Sequence, residues 1–217
     1  MKLWTKALLI MMLLWTCACN TKESTKSCSL LSLGDSYTEG THLNFSEAFP
    51  SQLAEMLKKS KGCEEVQLTS IAKHGWTSEQ LLAQLPKDSS QYQWITVLIG
   101  VNDQYDGVPI HTFEQNLIKI CQWIAERTPP NKVVLLTIPD YGVTPFSRSR
   151  NLNPAQEIDD FNKVIVKIAG TFNFLTLYLT TDYRKIGFLP ENLTFDSLHP
   201  SSTMYEKWAQ KVDSTLN

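Results

Sequence analysis

Residues 94–99 read Trp94-Ile95-Thr96-Val97-Leu98-Ile99, with Gly100 next. The run is uncharged, apolar and rich in β-formers, as a strand covered on both faces requires. Outward from it, strands and helices alternate. Towards the amino terminus, Leu30, Leu31 and Leu33 predict a strand ending at Gly34, and Val66, Leu68 and Ile71 predict another. Between them, Phe49, Leu53, Met56 and Leu57 have helical spacing, with Pro50 suited to a first turn. Thr77-Ser78-Glu79-Gln80 fits a capping box that opens a further helix. Towards the carboxyl terminus, Ile110, Phe113, Leu117, Ile120, Cys121 and Ile124 predict a long amphipathic helix that stops before Pro129-Pro130. Strands follow at Val133 to Ile138 and Phe174 to Leu179, with a helix through Ile158, Phe161, Ile165 and Ile168 between them. Tyr205, Trp208, Ala209, Val212 and Leu216 predict the closing helix. Pro139 to Asn153 and Thr180 to Asp196 read as long loops. The pattern implies an α/β fold, a three-layer α/β/α arrangement around a five-stranded parallel sheet. Such sheets bind ligands beyond the carboxyl ends of their strands.

The chain has 217 residues, of which 42% are hydrophobic, and a formal charge of −2. That suffices for a sizeable core and for one α/β domain, expected over residues 28–217. No basic surplus argues for a nucleic-acid partner. Small-molecule or uncharged-polymer chemistry fits better.

The amino terminus reads as a targeting segment. Lys2 and Lys6 flank a short basic region, and Ala7 to Trp15 form an uncharged apolar run. The run is shorter than the roughly 20 residues that span a bilayer and has the size of a signal-peptide apolar region. Thr16-Cys17-Ala18-Cys19-Asn20 follows and resembles a bacterial lipoprotein signal. Lipidation at Cys19 is favoured by Ala18 before it, with Cys17 the alternative. An ordinary secretory signal is the other reading. The expectation is a signal peptide over 1–18, a polar tether over 19–27, and an exported protein attached peripherally to a membrane through its lipid.

Cys28 precedes the first predicted strand and Cys63 the second. If those strands are parallel neighbours, both cysteines lie at one end of the sheet, where a disulfide is geometrically possible in an oxidising compartment. Cys121 lies on an apolar helix face and reads as core. No CxxC pair or His/Cys cluster suggests a structural metal, and His42, His74 and His111 lack a ligand spacing.

Gly34-Asp35-Ser36 directly follows the first strand. Leu33-Gly34-Asp35-Ser36-Tyr37-Thr38-Glu39-Gly40 resembles the first block of the GDSL/SGNH hydrolases. The likeness continues in order through Ala72-Lys73-His74-Gly75-Trp76-Thr77-Ser78, Ile99-Gly100-Val101-Asn102-Asp103 and Asp196-Ser197-Leu198-His199-Pro200. It covers nearly all of residues 28–217. The resemblance implies a flavodoxin-like SGNH hydrolase fold and a cofactor-free, metal-free serine esterase. It also implies Ser36 as nucleophile and an oxyanion site formed by Ser36 N–H, Gly75 N–H and Asn102. There is no G-x-S-x-G around Ser36, so the α/β-hydrolase nucleophile elbow is not present.

The residue types suit this chemistry. Ester cleavage needs a nucleophile, a base, an acid that orients the base, and oxyanion donors. Gly34 permits a tight strand-to-helix turn before Ser36. Pro200 biases His199 away from helix, and Asp196 lies one local turn before it. Gly75 exposes its backbone N–H, and Asn102 offers an uncharged side-chain donor. Asp35 is expected to support the turn and Asp103 to hold the Asn102 loop. Tyr37, Trp76 and Tyr105 could shape a pocket or pack in the core. Arg148 and Arg150 read as solvated loop residues. The substrate expectation is a lysophospholipase- or thioesterase-like acyl ester. The alternatives are a carbohydrate O-acetyl ester and, from a different class, a non-catalytic glycan- or lipid-binding lipoprotein.

Overall fold

The computed structural model describes residues 26–86 and 89–216. The predicted signal peptide and most of the predicted tether lie outside the described residues.

β1 (Ser27–Gly34) occupies the interior of a parallel sheet, and Leu30, Leu31 and Leu33 are all fully buried. Consecutive buried residues mean that both faces are covered. The chain continues through α1 (Ser36–Glu39), α2 (Phe49–Ser60), β2 (Glu65–Ala72) and α3 (Ser78–Gln84). Next come β3 (Trp94–Leu98), α4 (Val101–Tyr105), α5 (Ile110–Ala125) and β4 (Val133–Leu136). The last elements are α6 (Pro145–Ser149), α7 (Ala155–Phe172), β5 (Leu175–Leu177), α8 (Thr180–Ile186) and α9 (Ser202–Thr215). β3, the run that predicted the fold, is buried at every position. The strand order is β2-β1-β3-β4-β5, all parallel. α2 packs against α9, whereas α5 packs against both α3 and α7. The three-layer reading of the sequence therefore describes the architecture.

Order reverses between β1 and β3, because β1 leads outward to β2 and the chain then returns to the other side of β1. That is a topological switch point, where the loops leaving two adjacent strands diverge and open a crevice. Ser36 follows β1 and Asn102 follows β3, so both stand at that crevice.

At the opposite end, Cys28 and Cys63 form a disulfide with Cα atoms 6.0 Å apart. Register places Cys28 beside Val66, so the bond joins the amino end of β1 to the entry of β2. Cys121 is buried on α5, where desolvation pushes its thiol up to about 12.

Two segments differ from expectation. Pro139 to Asn153 contains α6, and Thr180 to Asp196 contains α8. Local chemistry explains α6: Thr144 caps it by accepting from Ser147 N, and Pro145 occupies its first position. α8 buries Thr180 and Tyr183 within a single short stretch, too brief for apolar periodicity to register. The fifth strand is also shorter than predicted, Leu175–Leu177 in place of Phe174 to Leu179.

Candidate active site

Ser36 opens α1 immediately beyond β1. Asp35 caps that helix, its carboxylate accepting from Tyr37 N at 3.0 Å. Gly34 is required by close packing, because a Cβ there would collide with Thr38 and with the Leu98 carbonyl. The turn is thus pressed against β3, and Ser36 is only 5% exposed. Burial pushes the Asp35 carboxyl up to about 8 against the opposing Tyr37 N–H, and nearby Asp103 adds to the rise. Its Oδ2 has no partner among the described residues.

The loop after β3 is built on the same principle. Gly100 has φ 119°, and a Cβ there would strike the Phe113 ring. Asn102 follows on α4. Its amide donates to the Trp76 carbonyl at 2.9 Å, which fixes the side chain beside the loop after β2. Asp103 turns inward and accepts from Ser78 N at 2.8 Å and Ser78 Oγ at 2.5 Å, tying α4 to the start of α3.

Asp196 and His199 come together in a local turn before α9. Ser197 at the centre of the turn has φ 60°. Asp196 Oδ1 accepts from Leu198 N at 2.9 Å, His199 N at 3.0 Å and Thr194 Oγ1 at 2.7 Å. Asp196 Oδ2 meets His199 Nδ1 at 2.5 Å. Burial opposes ionisation of Asp196, but this set of donors outweighs it and holds the carboxyl well below its ordinary range. Burial also pulls the His199 imidazole below its ordinary value. Asp196 offsets this in part, and the nearby His74 and His42 act in the same sense as burial. A neutral imidazole with its Nδ1 proton held by a carboxylate has Nε2 free to accept a proton.

Ser36, Asn102, Asp196 and His199 all line one cavity of about 300 Å³. Its other walls are Tyr37, His42, His74, Val101, Tyr105, Tyr141, Phe146 and Leu198. Among the described residues, no hydrogen bond joins Ser36 Oγ to His199. Such catalytic contacts are often long without substrate. Gly75 stands apart from the rest of the expected set. It lies on the exposed loop after β2 with φ 80°, and its neighbour His74, not Gly75 itself, lines the cavity.

The remaining expected residues divide. Tyr37 is buried and packs edge-on against both His199 and Trp208. Tyr105 is exposed at the rim, its ring 6.2 Å from that of Tyr141. Trp76 contributes its carbonyl to Asn102. Arg150 lies over the Phe146 ring at 3.9 Å, and Arg148 faces Phe188. The sequence did not point to Tyr141, Phe146, Phe195 or the placement of His42. Phe146 enters the wall because Phe146 N donates to the Ser197 carbonyl at 3.2 Å, which docks α6 on the Asp196 turn. His42 reaches Asp196 Oδ2 at 3.2 Å. The donor atoms of His42, Asp196 and His199 lie within 4.8 Å of one another, a set that spacing could not reveal. The close His199–Asp196 hydrogen bond occupies its centre, so a metal would have to displace that proton.

The fold is shared with solved structures. TesA superposes with a TM-score of 0.69 at 22% identity, over 87% of this chain and 98% of its own. A lipase/acylhydrolase from Enterococcus faecalis gives 0.69 at 24% identity, over 86% of this chain and 94% of its own. Axe2, an acetylxylan esterase from Geobacillus stearothermophilus, gives 0.66 at 18% identity, over 89% and 96%. No curated protein sequence matches the chain. The profile of the GDSL-like Lipase/Acylhydrolase family matches residues 32–207, from within β1 into α9. The chain therefore belongs to the GDSL-like lipase/acylhydrolase family of ester hydrolases.

Proposed function

We propose that the protein is a serine esterase in which Ser36 attacks the ester carbonyl, His199 is the base and Asp196 orients it. The 2.5 Å contact between His199 Nδ1 and Asp196 Oδ2, on the cavity that Ser36 also lines, carries this reading. His199 Nε2 takes the Ser36 proton as Oγ bonds to the carbonyl carbon. Ser36 N–H and the Asn102 amide, both on the cavity, stabilise the oxyanion, and Gly75 N–H, outside the cavity wall, is the third donor that the family resemblance implies. His199 then protonates the departing alcohol. Water, deprotonated by the same imidazole, releases the acid and restores Ser36.

The substrate proposed first is a lysophospholipase-like acyl ester, because Val101, Tyr105, Tyr141, Phe146 and Leu198 offer an apolar wall for an acyl chain. A second reading, a glycan O-acetyl ester, is favoured by the cavity's volume of about 300 Å³, at the small end of ligand sites. We also propose that the protein is exported and lipid-anchored at Cys19 or, alternatively, Cys17. The Cys28–Cys63 disulfide supports an oxidising compartment.

A fluorophosphonate probe should label Ser36 in the wild type and fail to label Ser36→Ala, whose turnover of p-nitrophenyl esters should fall on the order of 10⁶-fold. An unlabelled Ser36, or wild-type turnover in the variant, would overturn the scheme. An acyl panel then separates the substrates: an optimum at two carbons marks deacetylation, and one at eight or more marks lipid hydrolysis.

A further inference from the structure

His42 is far from His199 in the sequence, yet it sits on the same carboxylate. Its Nε2 lies 3.2 Å from Asp196 Oδ2, the oxygen that also receives His199 Nδ1. The backbone is shaped to put it there. α1 ends at Gly40, Leu43 N returns to the Gly40 carbonyl, and His42 at the tip has φ 71°. A left-handed histidine is uncommon and disfavoured. The ring is held on two sides, by Phe195 with centroids 4.5 Å apart and by His199 at 5.7 Å. Its side chain remains 35% exposed, so protons reach it from solvent.

We propose that His42 is a positioning residue that acts through Asp196 and sets the proton affinity of His199. The proposal rests on the reading of His199 as the base. With Nε2 protonated, His42 donates to Oδ2 and competes with His199 for the same carboxylate charge. That competition disfavours the His199 imidazolium and keeps the base neutral at lower pH.

Other groups face this pair. His74, from the loop after β2, has its ring 5.5 Å from that of His199. Its backbone N–H donates to Glu39, and its Nδ1 meets Thr41 Oγ1. Tyr37 from α1, Tyr183 from α8 and Tyr205 from α9 surround the pair, and burial pushes each phenol above its ordinary value. They remain neutral across the range in which histidines titrate. Glu39 is the remaining acid of the cluster, bonded to the Thr41 and His74 side of it and not to Asp196.

The test compares the pH dependence of kcat/KM in wild type, His42→Asn and His42→Gln. Asparagine tolerates the left-handed backbone but is too short to replace the imidazole at Oδ2. Glutamine keeps a neutral N–H donor of greater reach. The acid limb should move to higher pH in His42→Asn by about 0.5–1 unit, a range reduced for solvent exposure, and return towards wild type in His42→Gln. An Asn profile that superposes on wild type, or one that falls equally at every pH, would overturn the proposal. A second readout avoids turnover altogether. In a Ser36→Ala background, the NMR titration of the His199 ring should shift upward when His42→Asn is added, and an unchanged titration would overturn the proposal. Activity surviving in Ser36→Ala would count against the Ser36 scheme alone and leave this readout intact.

Discussion

At the amino ends of β1 and β2 a covalent bond joins Cys28 to Cys63, whereas at the carboxyl ends of β1 and β3 the cavity residues are set by hydrogen bonds, ion pairs and ring contacts. The first junction is indifferent to protonation and fixes where the strands begin. The second is assembled from segments distant in sequence, and its charges depend on who holds which proton. Asp196 shows the contrast most clearly. Five donors converge on its carboxylate, three on Oδ1 and two imidazoles on Oδ2. Stability and activity should therefore separate by end of the sheet.

The comparison breaks first at Asp196. Asp196→Asn keeps the shape but leaves His199 in the wrong tautomer, and turnover should fall about 10⁴-fold, measured as kcat on a short ester. A smaller loss would mean that His42 or another acceptor takes over the Nδ1 proton. Asn102→Ala should cost on the order of 10²–10³ in kcat. Because Asn102 also holds the Trp76 carbonyl, urea denaturation should show a modest accompanying loss of about 1 kcal/mol. The smallest effect on turnover belongs to the opposite end. Replacing Cys28 and Cys63 together by serine should leave kcat of the folded enzyme unchanged. The sequence separation of 35 residues implies a stability loss of about 4 kcal/mol by the chain-entropy estimate. A kcat that fell with the disulfide would show that the two ends are mechanically coupled.

Much of the molecule was legible before its structure. β1, β3 and β4 read clearly because strands covered on both faces are mostly apolar, as Ile95, Val97, Val134 and Leu135 are, with Ser32 and Thr96 the buried polar residues among them. α5 and α7 read clearly because their buried stripes repeat over several turns. α6 and α8 were missed because helices of one or two turns are made by caps and packing, not by a repeating face. Ser36 and Asn102 were legible as short motifs at strand ends, Asp196 and His199 as a short motif before α9, and the fold carries all four to one cavity. His42 and Phe146 were not. Each reaches the site by a backbone turn or a contact with a distant segment, which no local spacing records.

β1 has a direction, and direction has consequences for reach. The strand is 8 residues long and so advances roughly 26 Å from Ser27 to the threshold of Ser36. Lys26 and the disulfide lie at its foot, and the cavity lies at its head. With the proposed lipid at Cys19, the chain up to Ser27 could reach at most about 30 Å. If the lipid is there, the cavity opens at the end of β1 opposite to the anchor.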